Sequence, residues 1–457
     1  MSKRPGTYLP FLILLLGLVF LWWNRWHSLS NPYFWDEMGV YGKGVQYLFA
    51  NGIGVLPASL PPEISRGHPL LFSSIHALVI QVFSNKFFVS HFFALLVSSA
   101  SVLSTYLLAQ HFLPKVLAAG AASLLICQNI FIAQSTLVIP EMSIALISTL
   151  ALWSYFKRRY LLTILVLCIG VWIKESVIII AVFIGFIQVI ELIRSGIFLK
   201  KAKQLLLFTL PLIAFIGFLL IQKVQNGWYF FSYHTEIVQE SAFNGFWDKL
   251  ERHYTFIFYE QGRKYWLIAS LIGLFTLPFI RRGKSLLTLT GFLIVNLLVF
   301  SLAFYMDRYL LYLYPVLVIL VVHGLKVLSF GKDWISLLLI AGMASLSLLE
   351  LKNDTFRYDV SVSYEDVIRV HEEAVSQLCE LDESIIIVGS NFPIYMSLDD
   401  FQLGYLNKAC HTRIDLTPFD KEPRYLLLYQ DTIQRENYTL LKSYSQGKAL
   451  VKLYVKN

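Results

Sequence analysis

The sequence predicts an α-helical polytopic membrane protein with about eleven transmembrane helices and a small C-terminal α/β domain outside the membrane. Three observations carry this expectation. Of the 457 residues, 56% are hydrophobic and only 15% charged, with a mean hydropathy of +0.60, more apolar surface than a soluble fold of this length can hide. Apolar runs long enough to cross a hydrocarbon core of about 30 Å, roughly 20 residues as a helix, recur from Tyr8 to Leu351 and then stop. Residues 352–457 hold 12 Lys and Arg against 16 Asp and Glu, a net −4, so the +8 of the whole chain rests on a membrane part near +12. The basic charge therefore bears on topology, and no nucleic-acid partner is expected.

The expected spans are approximately 8–26, 86–110, 116–134, 141–156, 160–174, 175–193, 204–222, 266–280, 285–305, 309–328 and 333–351. A cytoplasmic N-terminus places the basic clusters Lys157–Arg159, Lys200–Lys203 and Arg281–Lys284 inside, in short loops, as the positive-inside rule requires. Loops 27–85 and 223–265 then lie outside, together with the tail 352–457. Pro69–Phe83 is apolar but only about 15 residues long, too short to span, and reads as interfacial or re-entrant. The run Tyr8–Trp26 after Lys3-Arg4 ends in tryptophans rather than small residues, so it reads as an uncleaved anchor and not a signal peptide. Pro140, Gly170 and Pro211 are expected helix breaks, tolerated at membrane depth only where protein or a wet cavity satisfies the backbone. In the tail, Val367–Leu381 reads as a helix, and Ser384–Gly389, Tyr425–Tyr429 and Ala449–Val455 read as strands. Cys379 and Cys410 form a candidate disulfide of an exported tail.

Charged groups are expensive at membrane depth and mark partners or wet pathways. Loop 27–85 opens on Phe34-Trp35-Asp36-Glu37 with Tyr41 and closes on Arg66-Gly67-His68-Pro69-Leu70. Paired acids among aromatic residues suit a general base on a sugar hydroxyl, or a metal held against a phosphate leaving group. Equally, they suit the N-terminal cap of a helix, and spacing alone leaves both open. Lys174-Glu175 interrupts an apolar run, either as a functional pair or as an ion pair, with each other or with Glu141, that fixes packing. Asp307-Arg308 is either a loop salt bridge or a phosphate-binding guanidinium fork. Loop 223–265 gathers Trp228, Tyr233, His234, Glu236 and Arg263, which suits sugar rings and phosphate and equally an interfacial aromatic belt.

Taken in chain order, these motifs resemble the polyprenyl-phosphate-dependent glycosyltransferases of the GT-C superfamily, in particular the protein mannosyltransferase and aminoarabinose transferase branch. Trp35-Asp36-Glu37 with Tyr41 is similar to that family's first-loop acidic motif, and His68-Pro69-Leu70 to its HPPL or KPPL turn. Pro140-Glu141 is similar to the segment that carries a second acid, Gly170–Glu175 to a stretch ending in Lys near the outer surface, and Asp307-Arg308-Tyr309-Leu310 with Pro315 to a frequent RYLLPLLP run. The resemblance covers most of residues 1–330. It implies a GT-C-like fold and an inverting transfer, with Asp36 as the catalytic base, Glu37 beside it, and Tyr41, His68, Glu141, Lys174, Glu175, Arg308 and Tyr309 turned to substrate. A divalent metal ion would be held by Glu141, His68 and, through a looser match, His234. Gly67-His68-Pro69 departs from the Glu-Lys-Pro of the aminoarabinose branch, so either His68 replaces that glutamate at a metal or the enzyme works without it.

The implied partners are a polyprenyl-phosphate sugar donor, a glycan, lipid or protein acceptor, and membrane lipids, in a bacterial inner membrane. The alternatives are a lipid-carrier flippase, a polysaccharide polymerase, or a non-catalytic membrane protein with a sugar-binding tail. An enzyme of this type is expected to keep its active site when residues 352–457 are deleted, whereas a tail-centred binder loses everything.

Overall fold

The computed structural model describes residues 8–195, 204–241, 245–276, 283–302, 306–351, 358–381, 383–406, 413–418, 421–431 and 436–457. Among them six helices are long and apolar enough to cross a membrane: Phe87–Ala109, Val177–Arg194, Gln204–Asn226, Gly283–Leu302, Asp307–Leu328 and Asp333–Glu350. Leu9–Arg25, Leu71–Phe83, Lys115–Ile126, Glu141–Phe156, Tyr160–Ile173 and Trp266–Phe275 are shorter apolar helices. The chain is an integral membrane protein. Leu161, Leu206, Ile213, Phe275 and Leu338 turn outwards, as on helices whose solvent is lipid. Asp307–Leu328 is the central helix, with 89% of its apolar window buried, whereas Gln204–Asn226 and Asp333–Glu350, at 17%, form the periphery.

Each expected span meets a helix, and the differences have physical causes. The span expected at 116–134 divides at Cys127-Gln128 into Lys115–Ile126 and Asn129–Gln134, and the freed polar side chains grip the tail, as described below. The break expected near Pro211 is present: the helical residues 204–207 end in a turn at Phe208-Thr209, and the α-helix resumes at Leu210. Pro211 thus stands in a first turn, as Pro10 does after Tyr8 and Pro315 does where the 3-10 turns Asp307–Leu313 give way to α-helix, and its missing N–H has no intrahelical partner to lose. Gly170, in contrast, does not break a helix. It lies inside Tyr160–Ile173, and a Cβ there would come within 2.8 Å of both Ile147 and Val177, so glycine serves close helix packing. The break falls instead at Lys174, which is extended at φ −154° and ψ 129°. Pro69–Phe83 yields the helix Leu71–Phe83. Lys200, Lys201, Lys203, Arg281, Arg282, the far ends of the spans expected at 266–280 and 285–305, and Cys410 lie outside the described residues.

Two neighbouring helices set the polarity of the bundle. Glu141 opens Glu141–Phe156 and Lys174 follows Tyr160–Ile173, while the Lys157–Arg159 turn joins their other ends. At 1.5 Å per residue, the acidic and lysine ends stand roughly 20 Å from that basic turn.

The C-terminal part is α/β. Strands β1 (Ile385–Ser390), β2 (Arg413–Leu416), β3 (Tyr425–Tyr429), β4 (Tyr438–Gln446) and β5 (Ala449–Lys456) form one sheet in the order β2-β1-β3-β5-β4. β1 pairs parallel to β2 and β3, while β5 pairs antiparallel to β3 and β4. Helix Tyr364–Cys379 packs on it. The expectation missed β2 and β4, both at sheet edges. β2 has only four residues, and β4 exposes most of its side chains, so neither carries the apolar run of a buried strand. Cys379 is disulfide-bonded.

This part is not an appendage. The buried Arg25, at the end of Leu9–Arg25, pairs with Glu365 at 2.9 Å and donates to the Tyr364 hydroxyl at 2.5 Å and to Thr136 Oγ1 at 3.0 Å. Gln134 Nε2 donates to the Asp359 carbonyl at 2.7 Å, and the Val362 N–H donates to Asn129 Oδ1 at 3.0 Å. Breaking a buried ion pair by removing one partner costs about 3–5 kcal/mol. Against the expectation from the sequence, deletion of 352–457 is expected to disturb the site, because the tail is bolted to the bundle and, as shown next, supplies a carboxylate to the charged cluster.

Candidate active site

The short helix Asp36–Gly39 follows Trp35, whose backbone is held at φ +54°. Glu37, expected beside Asp36 as its catalytic partner, points the other way. It is fully buried and accepts from the Phe34 N–H at 2.8 Å and the Val138 N–H at 2.5 Å, with His91 Nε2 at 3.2 Å. Its carboxylate thus ties the loop to Phe87–Ala109 and to the turn before Glu141, and that anchoring aims Asp36 at the cavity.

Asp36 meets Arg308, which is 2% exposed and stands at the centre of three acids. Arg308 Nη2 donates to Asp36 Oδ2, Nη1 to Asp359 Oδ2 at 2.5 Å, and Nε lies 3.3 Å from Glu141 Oε1. That last contact is an ion pair without hydrogen-bond geometry, and neither Glu141 oxygen accepts a hydrogen bond. Burial alone would raise the Asp36 carboxyl, but the Arg308 guanidinium outweighs it and holds the group below its ordinary range. For Asp359 burial wins, and the carboxyl is raised.

The second centre is Lys174, 3% exposed. Its ammonium donates to the Tyr41 hydroxyl and lies 3.2 Å from His68 Nε2, with Glu175 Oε1 at 3.9 Å. His68 Nδ1 is 3.0 Å from Glu175 Oε1. A proton on Nδ1 given to that carboxylate leaves Nε2 free to accept from Lys174, so a neutral imidazole satisfies both contacts. Burial lowers the His68 pKa in the same sense. His68 is positioned by Gly67 at φ +75°, where a Cβ would come within 2.9 Å of the Trp228 ring, so the loop 223–265 seats directly on this glycine.

These residues surround a cavity of about 500 Å³ whose wall includes Asp36, Arg66, His68, His234, Arg308 and Tyr309, closed on the tail side by Phe392, Tyr395 and Met396. Behind it a side chamber of about 80 Å³ is lined by Glu141, Lys174, Glu175 and Tyr309. All the expected substrate residues thus come together around two adjoining spaces. Sequence reasoning missed Arg66, whose guanidinium stacks over Tyr233 at 5.6 Å, and Asp359. The available signal for Asp359 was its position, eight residues beyond Leu351, where the chain is still close to the helix ends.

Glu141, His68 and His234 do not make a metal site. The two histidine rings are 4.9 Å apart, but Glu141 faces Arg308, and the place beside His68 is taken by the Lys174 ammonium. Among the described residues no three His, Cys, Asp or Glu side chains are grouped to hold an ion. The donors present do not fit a metal, and prolonged EDTA treatment is expected to leave activity within about twofold, as measured by product formation before and after readdition of Mn²⁺ or Zn²⁺.

His234 gives a pH expectation. Burial first, then the neighbouring His68, pushes its pKa down to about 4, below the roughly 6.5 of an unfolded chain. A lowered histidine binds fewer protons when folded, so its neutral form stabilises the fold above pH 6.5, and this contribution is lost as pH falls from about 6.5 towards 4. The thermal midpoint should drop over that window, and His234→Gln should flatten the drop.

The bundle of apolar helices, with long loops folded over one end and a mixed α/β domain seated on the same end, has the fold of solved membrane proteins. ArnT from Cupriavidus metallidurans, solved with bound undecaprenyl phosphate, superposes with a TM-score of 0.58 at 13% identity over 97% of each chain, and its apo state with 0.57 at 12% over 98% of each. The oligosaccharyltransferase of Archaeoglobus fulgidus, in the apo form, gives 0.51 at 12% identity, covering 90% of this chain and 65% of that one. No family model and no curated protein matches the sequence.

Proposed function

We propose that the protein is an inverting glycosyltransferase that moves a sugar from a polyprenyl-phosphate carrier to an acceptor hydroxyl at the outer face of a bacterial inner membrane. The observation that carries this reading is the convergence of Asp36, Arg66 and Arg308 on one cavity, with Lys174 behind it. Asp36 takes the proton of the acceptor hydroxyl as its oxygen bonds the anomeric carbon. The bond from that carbon to the phosphate oxygen breaks, its electron pair leaves with polyprenyl phosphate, and attack from the opposite side inverts the anomeric centre. Lys174, Arg308 and Arg66 oppose the charge that develops on the leaving phosphate.

The Arg308 contact explains why Asp36 is a poor base without substrate. A phosphate that takes up the guanidinium donors would release the carboxylate, so that its basicity rises when donor is present. The undecaprenyl phosphate in the ArnT structure supports the choice of carrier. The basic turn Lys157–Arg159 at the far end of the bundle supports an outward-facing site.

The test is release of undecaprenyl phosphate, followed by mass spectrometry, when the purified protein in nanodiscs is given labelled undecaprenyl-phosphate glucose, mannose, galactose or aminoarabinose with envelope extract as acceptor source. Time-dependent release with at least one donor is expected. No release from any of them would refute a lipid-phosphate donor.

A further inference from the structure

Phe392 lines the catalytic cavity and also a second, more open groove of about 480 Å³, bounded by Trp35, Tyr358, Pro393, Tyr429 and Gln430. Among the described residues, every side chain bounding the groove is uncharged and no membrane helix contributes to it. The Trp35 ring stands 4.4 Å from both the Tyr358 and the Phe392 rings, at interplanar angles of 41° and 78°. Tyr358 and Phe392 are 53% and 43% exposed. The floor is stiff, because Asn391 bonds both backbone groups of Tyr429, accepting from its N–H at 2.7 Å and donating to its carbonyl at 2.8 Å.

The backbone of Trp35 ties this groove to the chemistry. A bulky side chain at φ +54° is held there only where surrounding structure offsets the strain. The result is that consecutive residues face different spaces: Trp35 bounds the groove and Asp36 bounds the cavity. A molecule lying on the rings and passing Phe392 reaches the carboxylate.

Exposed, tilted aromatic rings without charge fit one ligand chemistry well. A pyranose offers an apolar C–H face to a ring and its hydroxyls to the rim, and such sites need only a few polar groups. An anionic headgroup or a charged peptide would find no counter-charge among the described lining residues, and an acyl chain would have to leave the apolar helices to enter.

We propose that this groove binds neutral sugar residues of the acceptor, which makes the acceptor a glycan; the inference rests on the transferase reading above. The test is saturation-transfer difference NMR on the full chain in nanodiscs, with linear trisaccharides of glucose, mannose and galactose as probes. At least one is expected to bind, with affinity falling tenfold or more in Phe392→Ala and Tyr358→Ala and retained in Phe392→Tyr. Thermal unfolding of each variant identifies any loss that comes from misfolding. Absence of binding by the wild type, or equal binding by both alanine variants when folded, overturns the groove assignment. Donor cleavage in the same samples separates the two readings. Release of undecaprenyl phosphate without trisaccharide binding removes only the glycan acceptor, whereas ring-dependent binding without release from any donor removes the transferase and leaves a sugar-binding groove.

Discussion

Asp36→Asn should lower transfer by about 10²–10⁴-fold, the range that a positioned general base contributes, while expression and insertion stay near wild type. The amide is nearly isosteric and its oxygen still accepts from Arg308, so the loop keeps its shape. What disappears is, among the described residues, the one carboxylate lining the main cavity that also meets Arg308, the guanidinium proposed to hold the donor phosphate. The measurement is initial rate at saturating donor, with donor binding measured separately. A rate within threefold of wild type at normal binding removes Asp36 from the mechanism. Glu37→Gln makes the contrast sharp. It presents an NH₂ group where the Phe34 or Val138 N–H now donates, so its first effect should be on stability, by about 1–3 kcal/mol.

The two acids of one sequence motif therefore do different work, and this shows what the sequence could reveal. Helix positions followed from apolar length, and the gathering of Asp36, His68, Lys174 and Arg308 followed from all four falling at one end of helices whose basic residues mark the other. Side-chain direction did not follow. Whether Glu37 faces the cavity or Val138 depends on the turn at Trp35, and positive φ at a tryptophan has no compositional signature. The ligand set expected for a metal is not brought together, for a similar reason. Glu141, His68 and His234 are plausible ligands one by one, but Arg308 and Lys174 occupy the positions between them, a matter of three-dimensional order that spacing does not encode. Asp359 was hidden because a change of composition at residue 352 looked like a boundary. The break at Cys127-Gln128, read as part of a continuous span, is what lets Asn129 and Gln134 reach across it.

Arg308→Ala should be the most damaging single substitution, because it leaves Asp36, Glu141 and Asp359 facing one another with no guanidinium between them. Removing one partner of a buried ionic cluster costs about 3–5 kcal/mol, a large share of the roughly 5–15 kcal/mol by which folded domains are stable. The variant should therefore show a much lower thermal midpoint as well as no transfer. Asp359→Asn in the same background relieves part of the repulsion, so the midpoint should partly recover while transfer stays absent, since the guanidinium fork proposed to hold the donor phosphate is still missing. Arg308→Lys keeps one charge but cannot reach three carboxylates at once, and it should fall between wild type and alanine in stability. A folded, active Arg308→Ala would mean that the three acids do not depend on this guanidinium. Recovery of transfer in the double variant would show instead that Arg308 serves the fold alone and that the donor phosphate is held elsewhere.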